Sequence, residues 1–193
     1  VIAGGGLSAI SAGMRLEKLV GPYTRVSITL VHDASNLLFH PLLPEVVGGI
    51  MQPGDVINPI RRILPQCRVV SGRLEAVEAG AHRIIVRRRQ GTLLTLHYDQ
   101  LILAPFLQPN LDFAPGIMAH ACNIDSVGDA LHIRERIVHL IEDAELADDP
   151  AERARLLTIA VIGSGQRACA TAVEVAAWLR TAAWFVSVIG MAI

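Results

Sequence analysis

The chain opens on an apolar run, Val1-Ile2-Ala3, that breaks into Gly4-Gly5-Gly6 and then carries Ala9, Gly13, Leu16 and Val20 at helical spacing. A short apolar run, a glycine cluster and a 3.6-residue period read in that order as a strand end, a tight turn and an amphipathic helix. Gly21-Pro22 stops the helix, and residues 25–31 have the β-branched content of a buried strand. Strand, helix and strand within about 30 residues form a βαβ unit, whose two strands must be parallel.

Residues 35–54 contain Pro41, Pro44, Gly48, Gly49, Pro53 and Gly54 and read as a loop, though an apolar one that should lie over something. Asp55 is placed to cap a helix over 56–64. Three alternating runs, 68–78, 83–88 and 92–98, are separated by Ala79-Gly80 and Gln90-Gly91 and predict an antiparallel meander. Residues 99–104 add one more buried strand through Leu101-Ile102-Leu103, followed by a Pro-rich connection over 105–116.

The pattern then turns helical. Ser126 and Asp129 stand at capping-box spacing, and Ala130, Ile133, Ile137, Leu140, Ile141 and Ala144 keep a helical stripe. Asp148-Asp149-Pro150 closes that helix and starts a short one through Leu157. Residues 158–162 read as a strand, Gly163-Ser164-Gly165 as a glycine turn, 168–179 as a helix and 183–189 as a further strand. The opening pattern therefore occurs twice, from Gly4 and again from Gly163.

Composition narrows the classes. A hydrophobic share of 52% against 18% charged residues in 193 residues excludes a disordered chain, and Gly 16 with Pro 10 excludes a collagen-like one. Lys+Arg 17 against Asp+Glu 18 leaves a net charge of -1, so no overall field draws the chain to nucleic acid, although Arg61, Arg62 and 87–89 are local basic spots. Cys67, Cys122 and Cys169 form no C-x-x-C pair, which argues for a reducing compartment and against a disulfide framework. The seven histidines make no metal-ligand spacing with nearby acids, and His132 and His139 are expected to face solvent. No signal-peptide pattern opens the chain, and the uncharged run 181–193 is shorter than the roughly 20 residues a crossing helix needs. Both ends fall inside apolar runs, so the chain is expected to belong to a longer protein.

Chemistry enters with the glycine turns. In a dinucleotide fold the first glycine makes the turn, the second lets the backbone approach the pyrophosphate, and a small third residue packs the helix on the strand. Amide groups at the helix start then face the phosphate charge. The two copies are Gly4-x-Gly6-x-x-Ala9 and Gly163-x-Gly165-x-x-Ala168. A turn with no ligand is the plainer reading of one such copy, and two copies in matching βαβ settings weigh against it. An acid ending the second strand would take the adenosine ribose. The first unit has His32 there with Asp33 one residue on, whereas Val188-Ile189-Gly190-Met191 in the second carries no carboxylate.

Further stretches give a family resemblance. Gly4-Gly5-Gly6-Leu7-Ser8-Ala9, Leu38-Phe39-His40-Pro41-Leu42-Leu43-Pro44-Glu45-Val46, Pro53-Gly54-Asp55-Val56, Pro59-Ile60-Arg61-Arg62, Tyr98-Asp99-Gln100-Leu101-Ile102-Leu103-Ala104 and Gly163-Ser164-Gly165 follow one another as in type II NADH:quinone oxidoreductases, which this chain resembles over nearly its whole length. The resemblance implies an α/β chain: a Rossmann-like FAD-binding domain with an antiparallel β-meander over 1–116, then the start of a second Rossmann-like NAD(P)-binding domain over 117–193. It implies FAD at Gly4, Gly5, Gly6, Leu7, Ser8 and Ala9, with His32, Asp33, Pro41, Leu74 and Ala104 as further candidate contacts. NAD(P)H is assigned to Gly163, Ser164, Gly165, Gln166 and Arg167.

The implied activity passes electrons from NAD(P)H through flavin to a quinone-type acceptor. Nicotinamide nucleotide and quinone would be the small-molecule partners, with no nucleic acid. The implied setting is cytoplasmic, at the inner face of the membrane, with peripheral contact through C-terminal helices that these 193 residues do not contain. Since the hydride chemistry belongs to the flavin, no catalytic acid or base is singled out.

This chain departs from the family pattern at three places. His32 stands where the family carries an acid, Ala104-Pro105-Phe106 replaces an Ala-Thr-Gly turn, and Ala170 replaces the nicotinamide-side glutamate. Together they imply a weakened nucleotide affinity, above all for NADH, and leave a degenerate, non-catalytic binding or interaction module as the alternative. His40 is read either as loop packing or as a proton-handling group, and Arg167 either as a phosphate attractor or as a solvating residue of its turn. Cys122 and Cys169 are read as buried structural thiols rather than the flavin-side pair of the related sulfide:quinone oxidoreductases.

Overall fold

A computed structural model of the chain describes residues 1–21, 25–105 and 115–182. Pro22, most of the Pro-rich connection and the expected strand over 183–189 lie outside the described residues. The contact pattern divides the chain into two units, one of residues 1–39 and 57–111, the other of residues 40–56 and 112–193.

The first unit is built on a parallel sheet. Strand β1 (Ile2–Ala3) leads through helix α1 (Leu7–Val20) to β2 (Thr29–His32), and β1 pairs in parallel with β2, Ile2 opposite Leu30 and Ala3 opposite Val31. A small antiparallel pair follows, β3 (Asn36–Leu38) with β4 (Ile57–Pro59), then the short helix α3 (Ile60–Ile63). Strand β5 (Arg68–Ser71) joins β2 on its free side, and β9 (Ile102–Leu103) joins β1, giving the order β5-β2-β1-β9. Alternate side chains leave opposite faces of a strand. Leu30 and Val69 accordingly pack with Ile2, Ile10, Ile60 and Leu64, while Val31 and Val70 pack with Ile84 and Val86. The sheet is covered on both faces, as a parallel sheet requires.

Four expectations about this unit change. The run 68–78 is two strands: β5 belongs to the parallel sheet, and after Gly72 the chain enters β6 (Arg73–Glu78), which with β7 (Arg83–Arg87) and β8 (Leu93–His97) makes the meander. The second strand begins at Thr29 rather than residue 25, because residues 25–27 are exposed and have no ladder partner among the described residues. Asp55 caps no helix; α3 starts only after Pro59, whose φ of -61° and ψ of 122° are extended, and a proline also drives the residue before it out of the helical region. Strand β9 is an edge strand with Leu103 54% exposed, so it is not the buried strand its apolar sequence predicts.

The second unit is helical. The stretch expected as a loop holds a 3-10 turn (His40–Leu42) and helix α2 (Leu43–Gly48). Its proline and glycines are helix punctuation, not loop content: Pro44 lies in the first turn, where its missing N–H costs nothing, and Gly49 ends the helix in the left-handed conformation at φ 79°. Leu43, Val46 and Val47 are its buried face. After α4 (Ile117–His120) comes α5 (Val127–Leu146), opened by a complete capping box in which the Asp129 N–H donates to Ser126 Oγ at 3.1 Å and the Ser126 N–H donates to Asp129 Oδ2 at 2.8 Å. Asp149 caps α6 (Pro150–Leu156) through the Ala151 N–H at 3.0 Å, and α7 (Gln166–Ala182) follows the second glycine turn. Helix α2 packs on α5 and α7. Residues 158–162, expected as a strand, form no ladder among the described residues; their expected partner over 183–189 lies outside them. Among the described residues no helix is long and apolar enough to cross a membrane.

Candidate nucleotide-binding site

The first glycine turn sits at the carboxyl end of β1, between β2 and β9, where ligands bind in open parallel sheets. Gly4 has φ 138°, and its N–H donates to the Val31 carbonyl at 2.9 Å. The Ala104 N–H donates to Ala3 at 2.9 Å, which brings the Ala104 carbonyl so close that a Cβ on Gly4 would overlap it. Conformation and crowding both require glycine there. Ala9 is fully buried, the small residue that lets α1 lie against the sheet.

Gly6 forms the N-cap of α1 in extended conformation, no side chain caps the helix, and no acidic residue lies in its first turn. Leu7 and Ser8 are exposed. The first turn of this 14-residue helix thus has no side-chain cap and no acid at the positive end of its dipole. That is a cradle for a diphosphate, and the residues present fit the FAD pyrophosphate expected from the motifs.

His32, at the end of β2, lies over this turn. Its ring rests on Gly5, where any Cβ would overlap it, and Nδ1 is 3.2 Å from Asp33 Oδ1. Burial holds the imidazole below its ordinary pKa, with the Asp33 charge opposing in part. The ring is therefore neutral near neutrality, with Asp33 close to Nδ1. Asp33 itself is exposed.

The other candidates divide. Ala104 meets Gly4, as described, while Leu74 on β6 packs beneath the meander with Val31, Val70, Ile84 and Val86. Pro41 belongs to the 3-10 turn of the second unit, as does half-buried His40. At the second turn Gly163 has φ 141° and approaches Ala168, whereas Gly165 has open space around it and Ser164 and Gln166 are exposed. Arg167 is turned away from that turn: Nη1 donates to the Ile124 carbonyl at 2.8 Å and lies 3.4 Å from Asp125 Oδ1. Phe106 and Gly190 lie outside the described residues.

The cysteine reading is corrected. Cys67 is the buried thiol, whereas Cys122, in the loop before α5, and Cys169, on the outer side of the first turn of α7, are exposed. His132 and His139 face solvent as expected, and among the described residues no cluster could hold a metal. One feature of the second unit had no sequence signal. Arg134 of α5 lies 5.0 Å over the Trp178 ring and crowds Gly49, beside a cavity of about 260 Å³ lined also by Val46, Met51 and Leu131. Glu45 and Glu174 each bury one carboxylate oxygen without a hydrogen-bond partner among the described residues.

A parallel sheet with a glycine-turned, uncapped helix start at its carboxyl edge defines a dinucleotide-binding α/β protein. Comparison with known proteins gives the family: residues 1–192 match the pyridine nucleotide-disulphide oxidoreductases, and the chain belongs to that family. The type II NADH:quinone oxidoreductase NdhA of Mycobacterium tuberculosis is 34% identical over 179 residues, covering 91% of this chain and 36% of that protein. The type II NADH:quinone oxidoreductase Ndh of the same organism is 32% identical, covering 86% and 35%. The structure of NDH2 from Plasmodium falciparum in complex with NADH superposes with a TM-score of 0.78 at 22% identity, over 95% of this chain and 38% of that one. These matches bear out the resemblance and the Rossmann-type fold read from the motifs. The chain spans about a third of the length of these curated relatives.

Proposed function

We propose that this chain supplies the FAD-binding part, over 1–116, and the beginning of the NADH-binding part, over 117–193, of a flavoenzyme that moves electrons from NADH to a quinone. The observation that carries the reading is the first turn. Its helix start has no side-chain cap and no acid, and Gly4 is held in a conformation and a crowd that only glycine accepts. The match to type II NADH:quinone oxidoreductases along most of the chain suggests the substrates.

In this reading Gly4, Gly5, Gly6, Leu7, Ser8 and Ala9 receive the diphosphate on backbone amides, while His32 and Asp33 lie at the adenosine end. Bound flavin would supply the hydride-accepting ring, and the protein would hold and orient it and keep water away. The turn from Gly163 through Arg167 would take the nicotinamide nucleotide. Arg167, engaged with Ile124 and Asp125, would fix the start of α7 there rather than meet a phosphate. The quinone, contact with a membrane surface and a location at its cytoplasmic face complete the proposal.

Absorbance tests it. The purified full chain, incubated with FAD and desalted, should be yellow and should bleach when NADH is added without oxygen. A preparation that stays colourless with FAD in excess overturns the flavoprotein reading and favours the interaction module, which no feature of the described residues otherwise supports. A yellow preparation that NADH does not bleach overturns the NADH half alone.

A further inference from the structure

We propose that the second unit holds a binding site for a small organic carboxylate, an anion on a compact apolar body, with Arg134 of α5 as the group that recognises it. The inference does not rest on the flavin reading of the first turn, because every residue of the site lies in the second unit.

The guanidinium is held but not neutralised. It lies 5.0 Å over the Trp178 ring of α7 and against Gly49, where a Cβ would overlap Nη1. Gly49 thus serves twice: its φ of 79° ends α2, and its missing side chain admits the guanidinium. Attraction to the indole face orients the group, yet a guanidinium carries five N–H donors that need acceptors of their own. Arg134 is half-buried and makes no hydrogen bond or ion pair among the described residues. Neither Glu45 nor Glu174, whose buried oxygens lack partners among the described residues, forms an ion pair with it or lines the cavity beside it. A charged donor withdrawn from part of its water and given no acceptor is costly, and an anion in the cavity would supply one.

The cavity sets the class of ligand. Its volume of about 260 Å³ falls just short of the space drug-sized ligands occupy, so it takes a smaller molecule. Val46, Met51, Pro53 and Leu131 give it apolar walls, and Gln52 adds an exposed amide. Arg134 is the sole charged residue of the lining among the described residues. One positive charge balances a monoanion, whereas a phosphate dianion would be left half-neutralised. The planar guanidinium fork matches a carboxylate in two parallel hydrogen bonds. A carboxylate on a body of single-ring size therefore meets both the charge and the walls. Because the same guanidinium touches Trp178, the indole reports occupancy.

Trp178 fluorescence of the full chain reads the site, without nucleotide and in a W184F background that leaves Trp178 the single indole. Cyclohexanecarboxylate is the probe, with its uncharged isostere cyclohexanecarboxamide and inorganic phosphate beside it. The carboxylate should shift the emission saturably, and both comparison molecules should bind at least about 10-fold more weakly, the share of one charge-assisted hydrogen bond. R134M keeps much of the side chain's bulk without its charge and should lose the same factor; R134K should restore part of it. Should R134M fail to fold, L131E decides. Leu131 lines the cavity while 42% exposed, so the change should leave the melting temperature at its former value. The new carboxylate beside Arg134 should nonetheless exclude the probe and abolish the shift. Binding undiminished in R134M or in L131E places the carboxylate elsewhere and overturns the inference. Binding of the carboxamide or of phosphate as tight as that of the carboxylate overturns it too, as does a carboxylate that changes neither emission nor melting temperature. Each of these outcomes leaves the flavin reading standing, which the absorbance experiment decides separately.

Discussion

The two glycine turns share a pattern and differ in what surrounds them. At the first, a strand lies on each side of β1, Gly4 is wedged against Ala104, Gly5 against the His32 ring, and the helix start carries no side-chain cap. At the second, residues 161–166 are exposed, Gly165 has nothing near it among the described residues, and the first charged side chain of the helix is tied to the loop before α5. Spacing alone selects a turn; neighbours decide which of its glycines are obligatory. The atoms that crowd Gly4 and Gly5 come from residues far away in sequence, Ala104 and His32, which no motif of six residues encodes.

The largest effect should come from exchanging small residues between the two turns. Gly4→Ala puts a side chain at φ 138° and against a backbone carbonyl, and should destabilise the chain by about 3 kcal/mol or more. Gly165→Ala enters open space and should change stability by no more than about 0.5 kcal/mol. Thermal denaturation of the two variants beside the wild type measures the gap, and equal midpoints would dissolve the distinction. Arg167→Ala should come next, at about 1 kcal/mol, because a charged donor at 2.8 Å from the Ile124 carbonyl is lost from a half-exposed site. If Arg167 only solvated its turn, the same variant would unfold at the wild-type midpoint.

Reading the sequence succeeded where local physics was self-sufficient. The capping box of Ser126 and Asp129, the Asp149-Pro150 helix start and the parallel βαβ opening are each specified by residues within one or two turns of one another. It failed where a tertiary neighbour decided. The run 68–78 alternates continuously, yet pairing with β2 captures only its first four residues and the meander takes the rest. The Pro and Gly content of 41–54 looks like a loop until Pro44 is seen at a helix start and Gly49 at a helix end. The glycine motif located the candidate site; the packing of His32 on Gly5 was not legible, because nothing in the sequence says how far an imidazole leans back over a turn.

The smallest predicted effect concerns pH, and it separates the two turns again, since only the first carries a half-buried histidine. Burial lowers the pKa of folded His32, and the Asp33 charge restores part of the difference. In the unfolded chain the ring titrates near its ordinary value of about 6.5. The unfolded state therefore binds a proton first as pH falls, so stability contributed by the neutral ring is complete above about 6.5 and declines as pH drops through that value to the lower folded pKa. Between pH 8 and pH 5 the melting temperature of the wild type should fall further than that of H32Q, whose amide does not titrate. Carboxylates that also protonate in acid contribute equally to both proteins and cancel in the difference. A difference of the opposite sign would mean that Asp33 outweighs burial and that the ring carries a proton over the turn.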